Sequence, residues 1–210
     1  MLSRHLPTRH PYGMKARNTA YILLSFIIEK ASGLSYAEYL KQSFFIPLQM
    51  NNTTVIDKPG ITISNKATGY RVDTLPIIKN DYEDIYTTGA GGIYSTVTDI
   101  SKWLIALKGG KIISKRSFDI MTEFATTFNG ARSYFGMGWT NESYGPKTPD
   151  LYNLKVFGSI GTLKGFNSII KYFPDQDVAF IVLSNSNYFR SDLYGKMERL
   201  LFKRIEFNLK

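Results

Sequence analysis

The stretch Val156-Phe-Gly-Ser-Ile-Gly-Thr-Leu-Lys-Gly-Phe-Asn-Ser-Ile-Ile-Lys-Tyr-Phe-Pro-Asp-Gln-Asp-Val-Ala-Phe-Ile-Val-Leu183 decides how this sequence folds. Val156 to Phe173 holds two strand candidates around its glycines, because β-branched and aromatic side chains suit a pleated surface. Phe173-Pro-Asp-Gln-Asp177 supplies a tight turn. Val178 to Leu183 is an unbroken apolar run of strand length, which predicts a buried strand. Such closely spaced strands predict an antiparallel meander. A helix follows it, amphipathic from Asp192 to Ile205.

Upstream the texture is helical. Tyr21-Ile-Leu-Leu-Ser-Phe-Ile-Ile28 is apolar on nearly every side. It predicts a buried helix that starts near Asn18 or Thr19 and ends at Gly33. Ser35-Tyr-Ala-Glu38 and Thr96-Val-Thr-Asp99 read as capping boxes. The first opens a helix to about Phe45, before Pro47. The second opens one through Leu107, stopped by Gly109-Gly110. Ser114 caps a further helix, Lys115 to Phe124. Residues 51–88 lack sustained periodicity and predict short strands and loops, and Tyr134 to Trp139 is another strand candidate. The layout is α+β, an antiparallel sheet flanked by helices. Residues 1–17 read as an irregular lead-in. Residues 18–210 read as one domain, helical over about 18–125, with sheet and last helix over about 130–207.

Composition narrows the function classes. The 210 residues are 43% hydrophobic and 20% charged, globular values that exclude disorder. The absence of cysteine excludes disulfides, thiolate zinc sites and a cysteine nucleophile. Both histidines, His5 and His10, lie close to the first residue, so neither a polyhistidine metal site nor a Ser-His-Asp triad is expected. No metal and no cofactor is expected. The net charge is +9, with 11 basic and 8 acidic side chains in residues 1–105 and 15 and 9 in 106–210. That excess is spread out and accompanies no nucleic-acid motif, so it reads as a solvated surface. Met1 to Pro11 is polar and reads as neither a signal peptide nor an anchor, and Tyr21 to Ile28 is far short of the ~20 residues of a membrane span.

No Gly-x-Ser-x-Gly elbow, Walker loop or dinucleotide fingerprint occurs. One Ser-x-x-Lys pair exists, Ser168-Ile-Ile-Lys171. On a helix, one turn would bring the amine beside the hydroxyl, but here the flanks read as strand. Residues three apart on a strand point to opposite faces, so the pair is read as coincidental.

Three segments together resemble the serine β-lactamase and DD-peptidase superfamily, in particular its class C β-lactamase-like branch. Asn18-Thr-Ala-Tyr21 with Leu23-Leu24 and Ile27-Ile-Glu-Lys-Ala-Ser-Gly33 resembles the family's Tyr-Ser-Asn-x-x-Tyr-x-Leu-Leu helix. It continues through Ser35-Tyr-Ala-Glu-Tyr-Leu40 to Ile46-Pro-Leu-Gln-Met50, similar to a family stretch ending in Pro-Leu-Gly-Met. Gly89-Ala-Gly-Gly-Ile-Tyr-Ser-Thr96 with Asp99 resembles Gly-Gly-Leu-x-Ser-Thr-x-x-Asp. Gly158-Ser-Ile-Gly161 with Gly165-Phe166 resembles Gly-His-Thr-Gly-x-x-x-Gly-Phe, the branch's version of the Lys-Thr-Gly strand.

The resemblance implies a β-lactamase/transpeptidase-like fold and acyl transfer through a serine ester. Its substrates would be a β-lactam, a D-Ala-D-Ala peptide or a small ester, and family members are usually exported. It implies substrate-binding positions at Asn18, Ser159, Gly161 and Thr162, the last through an oxyanion-hole backbone amide. It assigns no catalytic residue here, because the sequence departs from the pattern three times. The family's Ser-x-x-Lys lies upstream of the Tyr-Ser-Asn motif, and only 17 residues precede Asn18. Arg17 and Ala16 stand where the motif's serine and tyrosine should be. Ser159 replaces the Lys or His that opens the third motif and offers no positive charge to a carboxylate. Such groups act as a unit, so the chain is expected to be N-terminally truncated relative to the family and inactive alone.

Each position also has a structural reading: Asn18 as a helix cap, and Gly158, Gly161 and Gly165 as sites of close packing. The alternative function is a non-catalytic module that binds cell-wall peptide or a protein. A third reading is a hydrolase that has recruited another serine, such as Ser159. Without the family's N-terminal strands, the Val178–Leu183 edge is expected to self-associate or to pair with an N-terminal partner chain.

Overall fold

Apolar spacing, capping side chains and glycine punctuation place most elements where the sequence predicts them. The computed structural model describes residues 18–58, 61–71, 77–80, 88–123, 130, 136–143, 155–163, 165–187 and 194–201. The predicted lead-in 1–17, Tyr134, Phe124 and the outer ends of the last helix lie outside the described residues.

Helix α1 runs Asn18–Ser32 and ends where Gly33 takes φ +74°. Helix α2, Tyr36–Leu40, is capped by Ser35, whose Oγ accepts from Glu38 N–H at 3.2 Å. The reciprocal half of that box is absent: the Glu38 carboxylate accepts from the Gln42 amide and pairs with Lys41. Glu29 instead reaches across the corner and accepts the Tyr36 N–H at 2.8 Å. From Lys41 to Phe45 the helix widens to π geometry, with Ile46 N–H bonded to the Lys41 carbonyl. Pro47 follows and has no N–H to continue a tighter ladder.

Short strands come next. β1 (Thr54–Val55) pairs antiparallel with β4 (Ile93–Tyr94), and β2 (Gly69–Arg71) with β3 (Ile78–Asn80). Helix α3, Val97–Lys108, is capped by Thr96 and stops at Gly109. Its Asp99 is fully buried and accepts from Asn52 N–H, Thr53 Oγ1 and Lys102 Nζ at 2.8–3.0 Å. Burial alone would raise that carboxyl, but these donors outweigh it and hold the group below its ordinary value. Helix α4, Lys115–Thr122, is capped by Ser114.

The meander is β5 (Thr140–Ser143), β6 (Lys155–Leu163), β7 (Phe166–Phe173) and β8 (Val178–Ser184), antiparallel in the order β5-β6-β7-β8. Residues 194–201 form helix α5. The sheet is covered on both faces. Val156, Ile169, Phe173 and Phe180 pack with Tyr194 of α5. Phe157 and Tyr172 pack on the other face with Leu104 and Leu107 of α3, Phe118 of α4 and Trp139. Each such buried side chain contributes about 1.5–3 kcal/mol. Lys171 and Glu198 pair at 3.0 Å between β7 and α5. At the end of α3, Lys108 pairs with Asp177, which also accepts from Tyr172 Oη at 3.0 Å. Burial, then that bond, pushes the Tyr172 phenol up to about 12.

Three expectations need correction. Helix α1 is not buried: Ser25 is its one buried residue, while Leu23, Leu24, Phe26 and Ile27 are 50–61% exposed. Its inward side meets the Gly89 loop so closely that a Cβ on Gly89 would strike Tyr21 O and Ser25, leaving room for a small side chain only. The run Val178 to Leu183 is not uniformly buried either. Of its residues Phe180 alone is buried, because β8 is the last strand of the sheet among the described residues. Finally, residues 136–139 are not strand. Gly136 N–H bonds the Trp139 carbonyl and Gly138 takes φ +87°, so the chain turns there and pairing begins at Thr140.

Candidate functional site

That turn shapes the site. β5 pairs with β6 only over Lys155–Gly158, where Thr140 lies opposite Gly158 and its Oγ1 donates to the Gly158 carbonyl at 2.8 Å. Because the chain bends away before Thr140, the β5-side edge of β6 from Ser159 to Leu163 has no strand partner among the described residues. Among the described residues that edge is an open margin.

Three of the four predicted positions lie on this margin. Side chains alternate along a strand, so Ser159 and Gly161 share a face with Phe157, the face on which α3 and α4 pack. Ser159 is exposed. Gly161 lies opposite Ser168, and a Cβ on it would collide with Ser168 Oγ. Thr162 turns to the α5 face, where its hydroxyl donates to Asn167 Oδ1 at 3.0 Å.

Asn18 stands apart. It is the exposed first residue of α1, and no described hydrogen bond joins it to Ser159 or Thr162. The two segments meet indirectly. A Cβ on Gly138 would lie 3.8 Å from Tyr21 Oη, so the Tyr21 side chain of α1 reaches the turn that leads into Thr140 and hence Gly158.

Sequence reasoning missed Asn167. It is buried, and its Nδ2 donates to the Ser186 carbonyl at 2.7 Å while its Oδ1 holds Thr162. The signal was available: Asn167 falls in phase with buried Ile169, so a polar side chain occupies a core position of β7. Beyond it, Tyr70 N–H bonds the Asn185 carbonyl and Asn187 N–H bonds the Tyr70 carbonyl. Gly69 and Gly165 approach closely enough that a Cβ on either would strike the other's segment. β2 thus holds the tip of the β6–β7 hairpin, with Phe166 edge-on to Tyr94 at 6.3 Å.

Ser168 and Lys171 are separated as strand geometry requires. Ser168 faces the α3 side with Ile170 and Tyr172, and Lys171 faces Glu198 on the α5 side. A separate concavity of about 220 Å³, lined by residues including Ser35, Glu38, Lys41 and Asp57, includes no residue of β6. Among the described residues no three His, Cys, Asp or Glu side chains gather to hold a metal, and no helix is long and apolar enough to cross a membrane.

The sequence matches the Beta-lactamase family model over residues 3–202. The chain belongs to the beta-lactamase family. A penicillin-binding protein of Bacillus subtilis strain 168 is 29% identical over 185 residues, 82% of this chain and 40% of that protein. The D-amino acid amidase of Ochrobactrum anthropi SV3, complexed with L-phenylalanine amide, matches with TM-score 0.68 at 26% identity, over 83% of this chain and 50% of that one. The octameric penicillin-binding protein homologue of Pyrococcus abyssi gives 0.70 at 28%, over 91% and 43%. This beta-lactamase family chain therefore spans about two-fifths to one-half of the length of these relatives.

Proposed function

We propose that this chain supplies the substrate-facing wall of a serine acyl-transfer cleft and that its 210 residues do not catalyse the reaction by themselves. The open edge of β6 from Ser159 to Leu163 carries the reading. An unpaired strand edge offers N–H and C=O groups to an extended substrate backbone and N–H groups to an oxyanion. Thr162, held by Asn167, would present one such N–H. The substrate class is a D-amino acid amide, a D-Ala-D-Ala peptide, a β-lactam or a small ester, by analogy with the D-amino acid amidase and the penicillin-binding proteins.

Inactivity alone rests on the missing activation. An acylating serine needs a base within hydrogen-bond reach. The one Ser-x-x-Lys pair in the sequence is divided between the two faces of β7, and Ser159 has no described hydrogen-bond partner to take its proton. Intact-mass analysis after incubation with benzylpenicillin or a fluorophosphonate tests this. An unmodified mass is expected, and a covalent adduct on any serine would overturn it. Saturable binding without an adduct would favour the binding-module reading over that of an inactive remnant.

The Val178–Leu183 edge supports a further part of the proposal. β8 ends the sheet among the described residues, touched beyond its end by a single bridge from Tyr70 to Ser186. It would accept a strand from a second copy or from an N-terminal partner chain. The octameric homologue shows that self-association occurs within this fold. A chain whose association is untouched by Ile181→Pro would contradict that role.

A further inference from the structure

The hydroxyls around the margin of β6 fall into two kinds. Thr140 Oγ1 donates to the Gly158 carbonyl and Thr162 Oγ1 to Asn167 Oδ1. Ser159 and Ser168 make no hydrogen bond among the described residues. Ser159 is exposed. Ser168 is half-buried, but its oxygen is not one of the sealed polar atoms that lack a partner, so solvent reaches it. The two serines share a face. Ser168 lies opposite Gly161 across the β6–β7 ladder and Ser159 is two residues before Gly161, so they are diagonal neighbours.

Gly161 locates the Ser168 hydroxyl. Among the described residues outside its chain neighbours, a Cβ on Gly161 would meet the Ser168 side chain alone, and it would collide with Oγ. Gly161 is not one of the glycines at positive φ, so space rather than backbone conformation calls for glycine here. The hydroxyl thus stands over Gly161, displaced from β7 towards the unpaired edge of β6. A ligand laid along that edge has no side chain of β6 between it and Ser168 at this point.

We infer that Ser168 is a further ligand-contacting residue of this margin, and that with Ser159 it recognises an uncharged carbonyl, as in an amide or ester, in preference to a carboxylate. The inference rests on the acyl-transfer reading above and narrows its substrate class. A serine hydroxyl donates to a neutral carbonyl and accepts from an amide N–H, so one pair of serines serves either end of a carboxamide. A carboxylate brought against the same surface gives up hydration that two neutral hydroxyls replace poorly, and it binds strongly where a cation meets it. The basic residues of β6 and β7 are directed elsewhere. Lys171 pairs with Glu198 on the α5 side. Lys155 lies four residues before Ser159, with its ammonium 5.1 Å from the Phe157 ring centroid.

The test is an amide chemical-shift titration of the full chain with N-acetyl-D-phenylalaninamide and with N-acetyl-D-phenylalanine, which differ in carboxamide against carboxylate. The net charge of +9 favours the anionic probe, so a preference for the amide reports the site and not the overall charge. The amide should bind at least about fivefold more tightly than the acid. Ser168→Ala should weaken the amide about fivefold, as one lost hydrogen bond does, and leave the acid within about twofold, with the spectrum outside β6 and β7 unchanged. Gly161→Ala displaces the hydroxyl and should weaken the amide by a similar factor. In the Ser168→Ala background it should add less than about twofold, because its Cβ then meets no oxygen. Saturable shifts on Ser159 to Leu163 with an affinity untouched by Ser168→Ala would overturn the inference and leave the margin reading standing. Equal affinities for amide and acid, or additive losses in the double variant, would overturn it as well. If neither probe shifts the margin, the acyl-transfer reading fails and the inference falls with it.

Discussion

Helices α1 and α3 are both rich in apolar residues and both lie in segments that resemble family motifs, yet they use those residues oppositely. α3 buries Leu104 and Leu107 against the sheet and anchors its first turn through Asp99. α1 buries Ser25 and leaves Leu23, Leu24, Phe26 and Ile27 in solvent. Periodicity says that a face needs cover. It does not say which part of which chain provides it.

The comparison breaks most visibly on truncation of matched leucines. Leu104→Ala should cost about 3 kcal/mol in chemical denaturation, whereas Leu24→Ala should stay within about 0.5 kcal/mol at concentrations where the chain is monomeric. Equal losses would mean that α1 is covered after all. Next in size is Gly89→Ala, which should cost about 2 kcal/mol, because a Cβ at φ +90° must displace Tyr21 O and Ser25 on the inward side of α1. A thermal midpoint no lower than that of the parent would show that the loop does not define that side.

Asp99→Asn should cost about 1–2 kcal/mol at neutral pH, through weaker bonds to the Asn52 amide, Thr53 and Lys102. Its pH dependence has a definite sign. A carboxyl held below its ordinary value of 3.8 stabilises the fold above that pH and loses the contribution as pH falls through the lowered folded value. The parent should therefore lose stability towards acid more steeply than Asp99→Asn. Parallel acid limbs in the two denaturation series would remove Asp99 from the account.

The caps at Ser35, Thr96 and Ser114, the stop at Gly109 and the β6–β7–β8 meander were legible because each depends on neighbours in sequence. The side chains that share a function across distance were not. The Glu38 and Asp99 carboxylates sit where capping boxes predict, but the first goes to Gln42 and Lys41 and the second to Asn52, Thr53 and Lys102. The strand expected up to Trp139 failed because Gly136 and Gly138 turn the chain, and nothing local states that the turn frees an edge of β6. Gly161 and Thr162 were legible through resemblance. Asn167, which holds Thr162, shows its importance only through burial.

The open margin of β6 is the centre of the account, and amide chemical shifts during a titration with a D-amino acid amide test it most directly. Saturable shifts concentrated on Ser159 to Leu163, lost on Asn167→Leu while the fold persists, are expected. Shifts confined to the α2–β1 concavity around Glu38, Lys41 and Asp57, or none at all, would contradict it.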